Sequence, residues 1–307
     1  KAAVVLAERR LEFVSAMAEE IGASEVWASF NCNLAVAILN DAAAMAGKIQ
    51  DFSIPAKMPG VKAMAVRQPA GVVLGIAPWN APVVLGVRAV AVPLACGNTT
   101  ILKASEMCPK THSLIIDVLN DAGLPEGVVN LVTNAPEDAP DIVDALIAHE
   151  AVRRINFTGS TRVGRNVAEL CARALKPCLL ELSGKAPLLV LDDADLGEAV
   201  KAAAFGPVAT VIRVEGIDEA ISVANDTEFG LAAAVFGRDT ERALDVARQI
   251  ESGICHINGP TVYDEPQMPF GGMKASGYGR FGGEAGIAEF TELRWLSVHT
   301  KLHEYPI

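Results

Sequence analysis

The sequence predicts an α/β protein built on a doubly wound parallel sheet, because short apolar segments typical of buried strands alternate with segments typical of helices. Between residues 71 and 184, five predicted strands alternate with four predicted helices. Right-handed crossovers place such helices on both faces of a sheet, which explains strands that are apolar on both sides. A second α/β region is predicted at 185–290, and a small β element at 53–68 and 291–307.

Each predicted element rests on a local pattern. The first fifty residues have helical periodicity, and Pro55, Pro59 and Gly60 punctuate a predicted hairpin at 53–68. The five strands are GVVLGIA (71–77), TTILK (99–103), GVVNLVT (127–133), RRINFTG (153–159) and PCLLELSG (177–184). The second region contains three further predicted strands, VATVIRV (208–214), LAAAVFG (231–237) and SGICHIN (252–258), and RWLSVHT (294–300) predicts a final strand.

Composition and charge exclude several classes of protein. Hydrophobic residues make up 51% of the 307 residues, enough for a sizeable core and about two domains. Acidic residues outnumber basic ones by 37 to 26, so the chain lacks the basic field typical of nucleic-acid binding. Prolines interrupt the nearly uncharged segment 70–97, which therefore predicts strand, loop and helix and not a membrane span.

The N-terminal residues and the cysteines favour a cytoplasmic protein. The first residues lack the apolar stretch and small-residue cleavage site of a secretory signal. The six cysteines are spread along the chain without a CxxC pair, so we expect reduced thiols and no metal site.

Asn80 follows the first strand of the predicted sheet, where ligands of doubly wound sheets bind. Its amide is suited to donate a hydrogen bond to an oxyanion that forms when a carbonyl group is attacked. The alternative is a structural asparagine in a turn or helix cap.

Lys103 ends the second predicted strand, and Glu106 follows it. A carboxylate at this point can accept hydrogen bonds from the ribose hydroxyls of a dinucleotide and would repel a 2′-phosphate, which favours NAD over NADP. The alternative is a pair of solvated charges that cap the next helix.

The loop 157–164, FTGSTRVG, joins the fourth strand to a helix. Backbone amides at the helix N-terminus can bind a pyrophosphate, and Gly159 and Gly164 would permit its close approach. Glycine-containing turns are common at such junctions, so this loop is a weak signal by itself.

Glu181 lies near the end of the fifth strand among apolar residues. Burial there would raise the pKa of its carboxyl towards neutrality, which suits a general base that activates water. The alternative is a structural glutamate paired with a lysine such as Lys185.

APWN (77–80), KASE (103–106), FTGSTRVG (157–164) and LELSGK (180–185) occur in the order found in the aldehyde dehydrogenase superfamily. The glycine-rich segment MPFGGMKASGYGR (268–280) extends this resemblance, which is greatest to the bacterial salicylaldehyde, benzaldehyde and vanillin dehydrogenases. The resemblance implies an NAD-binding domain (1–52 and 69–184), a catalytic domain (185–290) and an oligomerisation element (53–68 and 291–307), in a homodimer or homotetramer.

The resemblance also implies roles for individual residues. Asn80 corresponds to the oxyanion ligand and Glu181 to the general base that activates water for hydrolysis of a cysteine thioester. The implied NAD ligands are Ala77, Pro78, Trp79, Lys103, Ser105, Glu106, Gly159, Ser160, Val163 and Leu182.

Two residues are candidates for contact with an aromatic aldehyde. Arg88 is the only charged residue between 70 and 97, and a buried arginine is costly unless it is paired. It either faces the substrate, where an aromatic ring or phenolic oxygen would satisfy it, or forms an ion pair within the protein. The resemblance suggests Trp27 as an aromatic wall of the pocket, with core packing as the alternative.

The family's nucleophile, a cysteine in a Gly-Gln-x-Cys segment, has no counterpart in this chain. Ala204-Phe205-Gly206 runs directly into Pro207-Val208, and we expect a long segment to be missing near this junction. Loss of that much of a domain would expose apolar surface, so we expect the active protein to contain the segment. The competing hypothesis is an NAD-binding protein without catalysis; a reductase of acyl phosphates or acyl-CoA fits less well, because Glu181 is suited to water activation.

Overall fold

The computed structural model describes residues 1–203 and 210–301. The Gly206–Pro207 junction lies outside the described residues, as do the last residues of the predicted oligomerisation element. No helix within the described ranges is both long enough and apolar enough to cross a membrane.

Three helices form the N-terminal part of the chain, α1 (Ala2–Glu8), α2 (Arg10–Ile21) and α3 (Glu25–Ala46). The α2 helix ends at Gly22, whose φ of +66° suits a left-handed C-cap. Ser24 caps α3 by accepting a hydrogen bond from the backbone N–H of Trp27. The buried faces of these helices, which include Phe13 and Met45, belong to the largest hydrophobic core.

A six-stranded sheet forms the centre of the molecule, in the order β13-β7-β6-β3-β4-β5. Its parallel strands and their crossover helices are β3 (Val72–Ile76), α4 (Pro82–Ala95), β4 (Thr99–Lys103), α5 (Pro109–Asp121), β5 (Val129–Val132), α6 (Ala139–Ala148), β6 (Val152–Thr158), α7 (Thr161–Arg173) and β7 (Cys178–Glu181). The doubly wound α/β prediction is confirmed. Strand order reverses at β3 and β6, and such a switch point is where ligands bind in open parallel sheets.

The two faces of this sheet are covered by different helices. Residues of α3, α4 and α5 pack in the core on one face, and residues of α6 and α7, including Ile147 and Val167, pack against β6 and β7 on the other. The strands are therefore buried on both sides, as their apolar sequences predict.

A second, smaller sheet contains three parallel strands in the order β11-β10-β8. These elements and the helices around them are β8 (Leu188–Val190), α8 (Leu196–Ala203), α9 (Ile217–Asn225), β9 (Phe229–Gly230), β10 (Ala232–Phe236), α10 (Thr240–Ala247) and β11 (Ile254–Ile257). Helices α9 and α10 cover one face, and α8 contributes to a small cluster with Ala234 and Phe236.

The strand predicted at 208–214 is wrong for the residues that the structure describes. Residues 210–214 have no regular secondary structure, and Val211 and Ile212 are 92% and 57% exposed. A strand needs a neighbour for its backbone hydrogen bonds, and no described strand pairs with this segment. Its alternating apolar residues consequently have no sheet to join.

The third sheet is antiparallel and combines distant parts of the chain in the order β1-β2-β14. Strand β1 (Phe52–Ile54) and strand β2 (Val61–Pro69) form the predicted hairpin. Strand β14 (Thr291–His299) follows α11 (Gly283–Phe290) and pairs with the full length of β2. Strand β14 is one edge of this sheet, and Trp295 on it is exposed.

The glycine-rich segment contains two short strands, β12 (Met273–Lys274) and β13 (Gly277–Tyr278). Strand β12 pairs with β9, and β13 joins the central sheet. Strand β13 is antiparallel to β7, with Gly277 opposite Glu181. A Cβ atom on Gly277 would lie 2.0 Å from the carbonyl oxygen of Leu180, and the φ of Gly277 is +101°. Only glycine permits this contact, which fixes the glycine-rich segment beside Glu181.

We expect Gly277→Ala to lower the free energy of unfolding by about 3 kcal/mol or more, because strain from the positive φ adds to a backbone clash. Gly123→Ala is a matched control, since Gly123 has a φ of +93° and nothing within 4 Å of the added Cβ. The control substitution Gly123→Ala should lower the free energy of unfolding by about 1 kcal/mol. Denaturant unfolding of both variants measures the difference, and equal losses would contradict the close contact at Gly277.

Candidate functional site

The carboxyl ends of neighbouring strands bring the predicted site residues to one edge of the central sheet. Ile76 pairs with Lys103 on β4 and with Phe157 on β6. Thr158 pairs with Glu181 on β7. Strands β3 and β7 are separated by β6 alone, which corresponds to about 10 Å between their axes.

A cavity of about 740 Å³ opens at this edge of the sheet. Nine of the ten predicted cofactor ligands line it: Ala77, Pro78, Trp79, Lys103, Ser105, Glu106, Gly159, Ser160 and Val163. Leu182 does not line it; this residue is buried beneath α7, where a Cβ on Gly164 would lie 2.3 Å from Leu182 Cδ2. A pocket of this size is within the range typical of cofactor sites.

Lys103 and Glu106 form an ion pair in the wall of the cavity. Asn134 also donates a hydrogen bond of 3.0 Å to Oε1 of Glu106. Burial by itself would raise the pKa of Glu106, but the hydrogen bonds from Lys103, from its own backbone and from Asn134 outweigh it and lower the pKa. Glu106 is therefore held in place as a carboxylate. It does not cap α5, whose N-cap residue, Cys108, makes no side-chain capping hydrogen bond.

His112, on α5, supports the loop that carries Ser105. The backbone N–H of Ser105 donates a hydrogen bond of 3.1 Å to Nδ1 of His112. The His112 side chain is fully buried, and this burial lowers its pKa to about 4. A neutral imidazole therefore holds the loop, because Nδ1 must be unprotonated to accept the bond.

The N-terminus of α7 faces the cavity. The Ser160 side chain caps the helix by accepting a hydrogen bond of 3.3 Å from the backbone of Val163. A Cβ on Gly159 would lie 2.6 Å from the Phe157 ring, so glycine is needed for the loop to turn here. Helix N-termini with free backbone N–H groups attract anions, which makes this part of the wall suitable for a pyrophosphate.

Asn80 and Trp27 lie together beside the end of β3. The indole Nε1 of Trp27 donates a hydrogen bond of 2.9 Å to the backbone carbonyl of Asn80, and the Trp27 ring stacks on Phe30 with a centroid distance of 5.3 Å. The side chain of Asn80 is exposed. Trp27 thus fixes the backbone of Asn80, and contact of either side chain with a substrate stays a prediction.

Glu181 is a partly buried carboxyl at the end of β7. Burial is the largest influence on its pKa and raises it, whereas Arg88 and a 3.1 Å hydrogen bond from Thr158 Oγ1 oppose the rise. Lys185 donates instead to the backbone carbonyl of Val223, so the alternative pairing of Glu181 with Lys185 is wrong. A raised pKa suits a group that takes up a proton near neutral pH.

Arg88 forms a buried ion pair with Asp264. Of the two interpretations of Arg88, the structure therefore shows the ion pair within the protein. Its guanidinium carbon lies 4.6 Å from the centre of the Phe270 ring and 5.3 Å from that of Phe281. These contacts compensate for burial of the charge. Contact between Arg88 and a substrate stays a prediction.

The cavity also contains residues that sequence reasoning missed. Residues from the loop after β5 and from helices α6 and α7 complete its wall: Pro136, Ala139, Pro140, Asp141, Val143, Asp144, Arg162, Asn166, Glu169, Leu170 and Arg173. Because the parallel strand β5 also ends at this edge of the sheet, the residues that follow it could have been predicted to line the cavity. The sequence 134–141 lacks a distinctive motif, because single prolines and aspartates are common in loops.

The described cysteines do not supply a nucleophile beside Glu181. Burial raises the pKa of Cys255 to about 11. A hydrogen bond from Cys171 lowers the pKa of Cys178 to about 7, but Cys178 begins β7 and Glu181 ends it. Three residues of extended strand separate them by about 10 Å. Among the described residues, no group of three or more His, Cys, Asp or Glu side chains could hold a metal ion.

Comparison with known proteins identifies relatives of this chain. The sequence model of the aldehyde dehydrogenase family matches residues 1–205 and 201–296. A vanillin dehydrogenase of Pseudomonas sp. (strain HR199) is 46% identical over 100% of this chain and 85% of its own length. The crystal structure of a salicylaldehyde dehydrogenase from Pseudomonas putida G7 with salicylaldehyde is 38% identical, with a TM-score of 0.98 over 100% of this chain and 86% of that one.

A crystal structure of PnpE in complex with nicotinamide adenine dinucleotide is 26% identical, with a TM-score of 0.93 over 100% of this chain and 85% of that one. The alignments also contain a gap. The one with the vanillin dehydrogenase spans 412 positions, whereas this chain has 307 residues, which leaves about 105 positions without a counterpart here. The two matched blocks meet at residues 201–205, beside the junction near which we expect a missing segment.

We expect the buried His112 to make stability depend on pH. Its pKa is about 4 in the folded protein, whereas the ordinary value is 6.5. Above pH 6.5 the imidazole is neutral in both the folded and the unfolded chain, so its full contribution to the free energy of unfolding is present there. Between pH 6.5 and 4 the unfolded chain binds a proton that the folded chain does not, and the free energy of unfolding falls by about 3 kcal/mol from this group.

The pH dependence of denaturant unfolding tests this expectation. His112→Gln should be less stable at pH 7 and should show a shallower loss of stability from pH 6.5 to 4. His149→Gln, at an exposed histidine, is the control and should keep the slope of the unsubstituted protein. Identical slopes for all three proteins would contradict a neutral, buried His112.

Proposed function

The chain belongs to the aldehyde dehydrogenase family, and we propose that the protein, with the nucleophile segment present, oxidises an aromatic aldehyde of the salicylaldehyde, benzaldehyde or vanillin type to the carboxylic acid with NAD. The observation that supports the proposal is the edge of the central sheet at which the cavity opens and at which β3, which precedes Asn80, and β7, which ends at Glu181, both terminate. The names of relatives at 37–46% identity support an aromatic substrate. The activity requires the nucleophile segment that this sequence lacks.

The residues present fit NAD. The N-terminus of α7, with its N-cap residue Ser160, lines the cavity and offers backbone N–H groups to a pyrophosphate. Lys103 and Asn134 both donate to Oε1 of Glu106, which leaves acceptor capacity on the carboxylate for two ribose hydroxyls. Its negative charge would repel a 2′-phosphate. When bound, NAD would accept the hydride from the aldehyde carbon.

Two side chains of this chain would act on the substrate itself. The Asn80 amide would donate a hydrogen bond to the carbonyl oxygen as negative charge develops on it. Glu181, with its raised pKa, would take a proton from the water that attacks the thioester carbon. Arg88 and Trp27 would border the aromatic ring, with Arg88 already neutralised by Asp264.

The second candidate function is NAD binding without catalysis, which the absence of a Gly-Gln-x-Cys segment favours. The intact mass of the protein from its native source separates the two candidates. A mass near 32.2 kDa would favour the second, and a much larger mass the first. On the second candidate, the protein should bind NADH and form none from NAD with benzaldehyde or salicylaldehyde.

Removal of one charge tests the cofactor proposal. We expect Glu106→Gln to weaken NADH binding about tenfold or more, because charge-assisted hydrogen bonds to the ribose are lost. NADPH binding should not weaken in parallel, since the repulsion of its 2′-phosphate is also removed. Fluorescence titration measures both affinities. Glu169→Gln is the control on the same cavity wall, and equal losses for NADH and NADPH in Glu106→Gln would contradict the proposal.

We further propose a homodimer or homotetramer that uses the β1-β2-β14 sheet. Strand β14 presents an unpaired edge within the described residues and exposes Leu293, Trp295 and Val298. Such an edge is a template for pairing with another strand. Light scattering after size-exclusion chromatography should give a molar mass that is a multiple of the protomer mass. The Trp295→Lys substitution should lower this molar mass towards that of a single protomer. An unsubstituted protein that runs as a monomer would contradict the proposal.

A cytoplasmic location is also proposed. All six cysteines are free, as expected where thiols stay reduced. Fractionation of cells beside a cytoplasmic marker enzyme would check it.

A further inference from the structure

Two cysteines lie side by side where the chain passes from α7 to β7. Cys171 lies in the last turn of α7, and Cys178 begins β7. The chain turns sharply between them: the backbone N–H of Lys176 donates a hydrogen bond of 2.9 Å to the carbonyl of Cys171, and Leu175 has a φ of +52°. This turn brings the two thiols into hydrogen-bonding contact with each other.

The two thiols differ in their access to solvent. Cys171 is 1% exposed, whereas Cys178 is partly exposed. The phenolic oxygen of Tyr278, on the neighbouring strand β13, lies 3.1 Å from Sγ of Cys178. Burial raises the pKa of Tyr278, so its hydroxyl keeps the proton and donates to the sulfur. Cys178 is therefore a partly accessible thiol with a hydrogen-bond donor on each side.

The same contacts divide the protons unequally between the two sulfur atoms. The hydrogen bond from Cys171 is the main influence on the pKa of Cys178 and lowers it to about 7, and the bond from Tyr278 also lowers it. The bond between the thiols raises the pKa of Cys171, and burial raises it further. Near neutral pH, Cys178 is thus partly a thiolate, whereas Cys171 remains a thiol. A thiolate is the form of cysteine that attacks oxidants.

The other four cysteines lack this combination of features. Burial raises the pKa of Cys32, Cys96 and Cys255 to about 11 and that of Cys108 to about 12. Cys32, Cys96 and Cys108 are also buried. A partly exposed thiol with a low pKa beside a second thiol is the arrangement typical of cysteines that oxidise reversibly.

We propose that Cys171 and Cys178 form a site of reversible oxidation, at which a small hydroperoxide converts the two thiols into a disulfide. The Cys178 thiolate attacks one oxygen of hydrogen peroxide, and the O–O bond breaks to give a sulfenic acid and hydroxide, which takes up a proton to form water. The sulfur of Cys171 then attacks the sulfenic sulfur. The S–S bond forms, the S–O bond breaks, and the hydroxyl group leaves with the proton of Cys171 as a second water molecule.

This site is independent of the proposed function. Neither cysteine lines the cavity at the edge of the central sheet. The reaction needs only the two thiols and the peroxide, because two thiols lose one electron each and the peroxide gains both. The proposal can therefore be tested on the full chain without a cofactor or an aldehyde.

Peptide mapping of the oxidised protein tests the proposal. The folded protein is treated with equimolar hydrogen peroxide, free thiols are blocked with N-ethylmaleimide, and the protein is digested with trypsin without reductant. Cleavage after Arg165, Arg173 and Lys185 places the two cysteines in separate peptides, 166–173 and 174–185. A proline follows the first lysine of the second peptide and blocks cleavage there. We expect these two peptides, joined by a disulfide, to be the main oxidation product and to separate on treatment with dithiothreitol.

Substitutions assign a role to each group. In Cys171→Ser the sulfenic acid on Cys178 should persist and react with dimedone, whereas Cys178→Ser should leave Cys171 unoxidised. Cys255→Ser is the matched control and should form the disulfide as the unsubstituted protein does. Tyr278→Phe should slow the oxidation about two- to fivefold at pH 7, because loss of the hydrogen bond lowers the thiolate fraction of Cys178.

The decisive result comes from the unsubstituted protein, so it does not depend on whether a variant folds. Absence of the disulfide between peptides 166–173 and 174–185 after peroxide treatment would overturn the proposal. Oxidation of Cys255 as fast as that of Cys178 would overturn it as well, because the local contacts would then confer no reactivity.

Discussion

The parallel register of β3, β4, β6 and β7 is the constraint on which the proposed site depends. Backbone hydrogen bonds between neighbouring strands align Ile76 with Lys103 and Phe157, and Thr158 with Glu181. A shift of one residue in any pair would turn the side chains of that strand to the other face. The apolar cores on both faces of the sheet oppose such a shift, so packing far from the cavity fixes its geometry.

Buried charges at this edge are tolerated because each has a partner. Lys103 is paired with Glu106, and Arg88 with Asp264. Loss of one partner from a buried pair is strongly destabilising because it leaves an uncompensated charge. The two pairs have different consequences: the first forms part of a cavity wall, whereas the second changes the pKa of Glu181 through both of its charges.

The segment that leads into the smaller sheet lies beside the gap in the alignments with relatives. Three parallel strands form the smaller sheet, and the apolar residues Val211 and Ile212, which precede α9, are exposed. Apolar side chains with strand-like alternation need neighbouring strands to cover them. The alignment positions without a counterpart here fall beside this segment, and no described strand pairs with it.

The sequence by itself determined the alternation of strands and helices and the residues that follow each strand, including Asn80, Lys103, Glu106 and Glu181. These features depend on hydrophobic periodicity and on residues that begin or end helices and strands. Both are local patterns of a few consecutive residues, so the sequence alone reveals them. It also determined that the family's cysteine motif is absent. The strand order, the loop after β5 and the pairing of Arg88 with Asp264, 176 residues away, were decided by the tertiary structure. Such contacts depend on which distant segments pack together, and no local pattern specifies them.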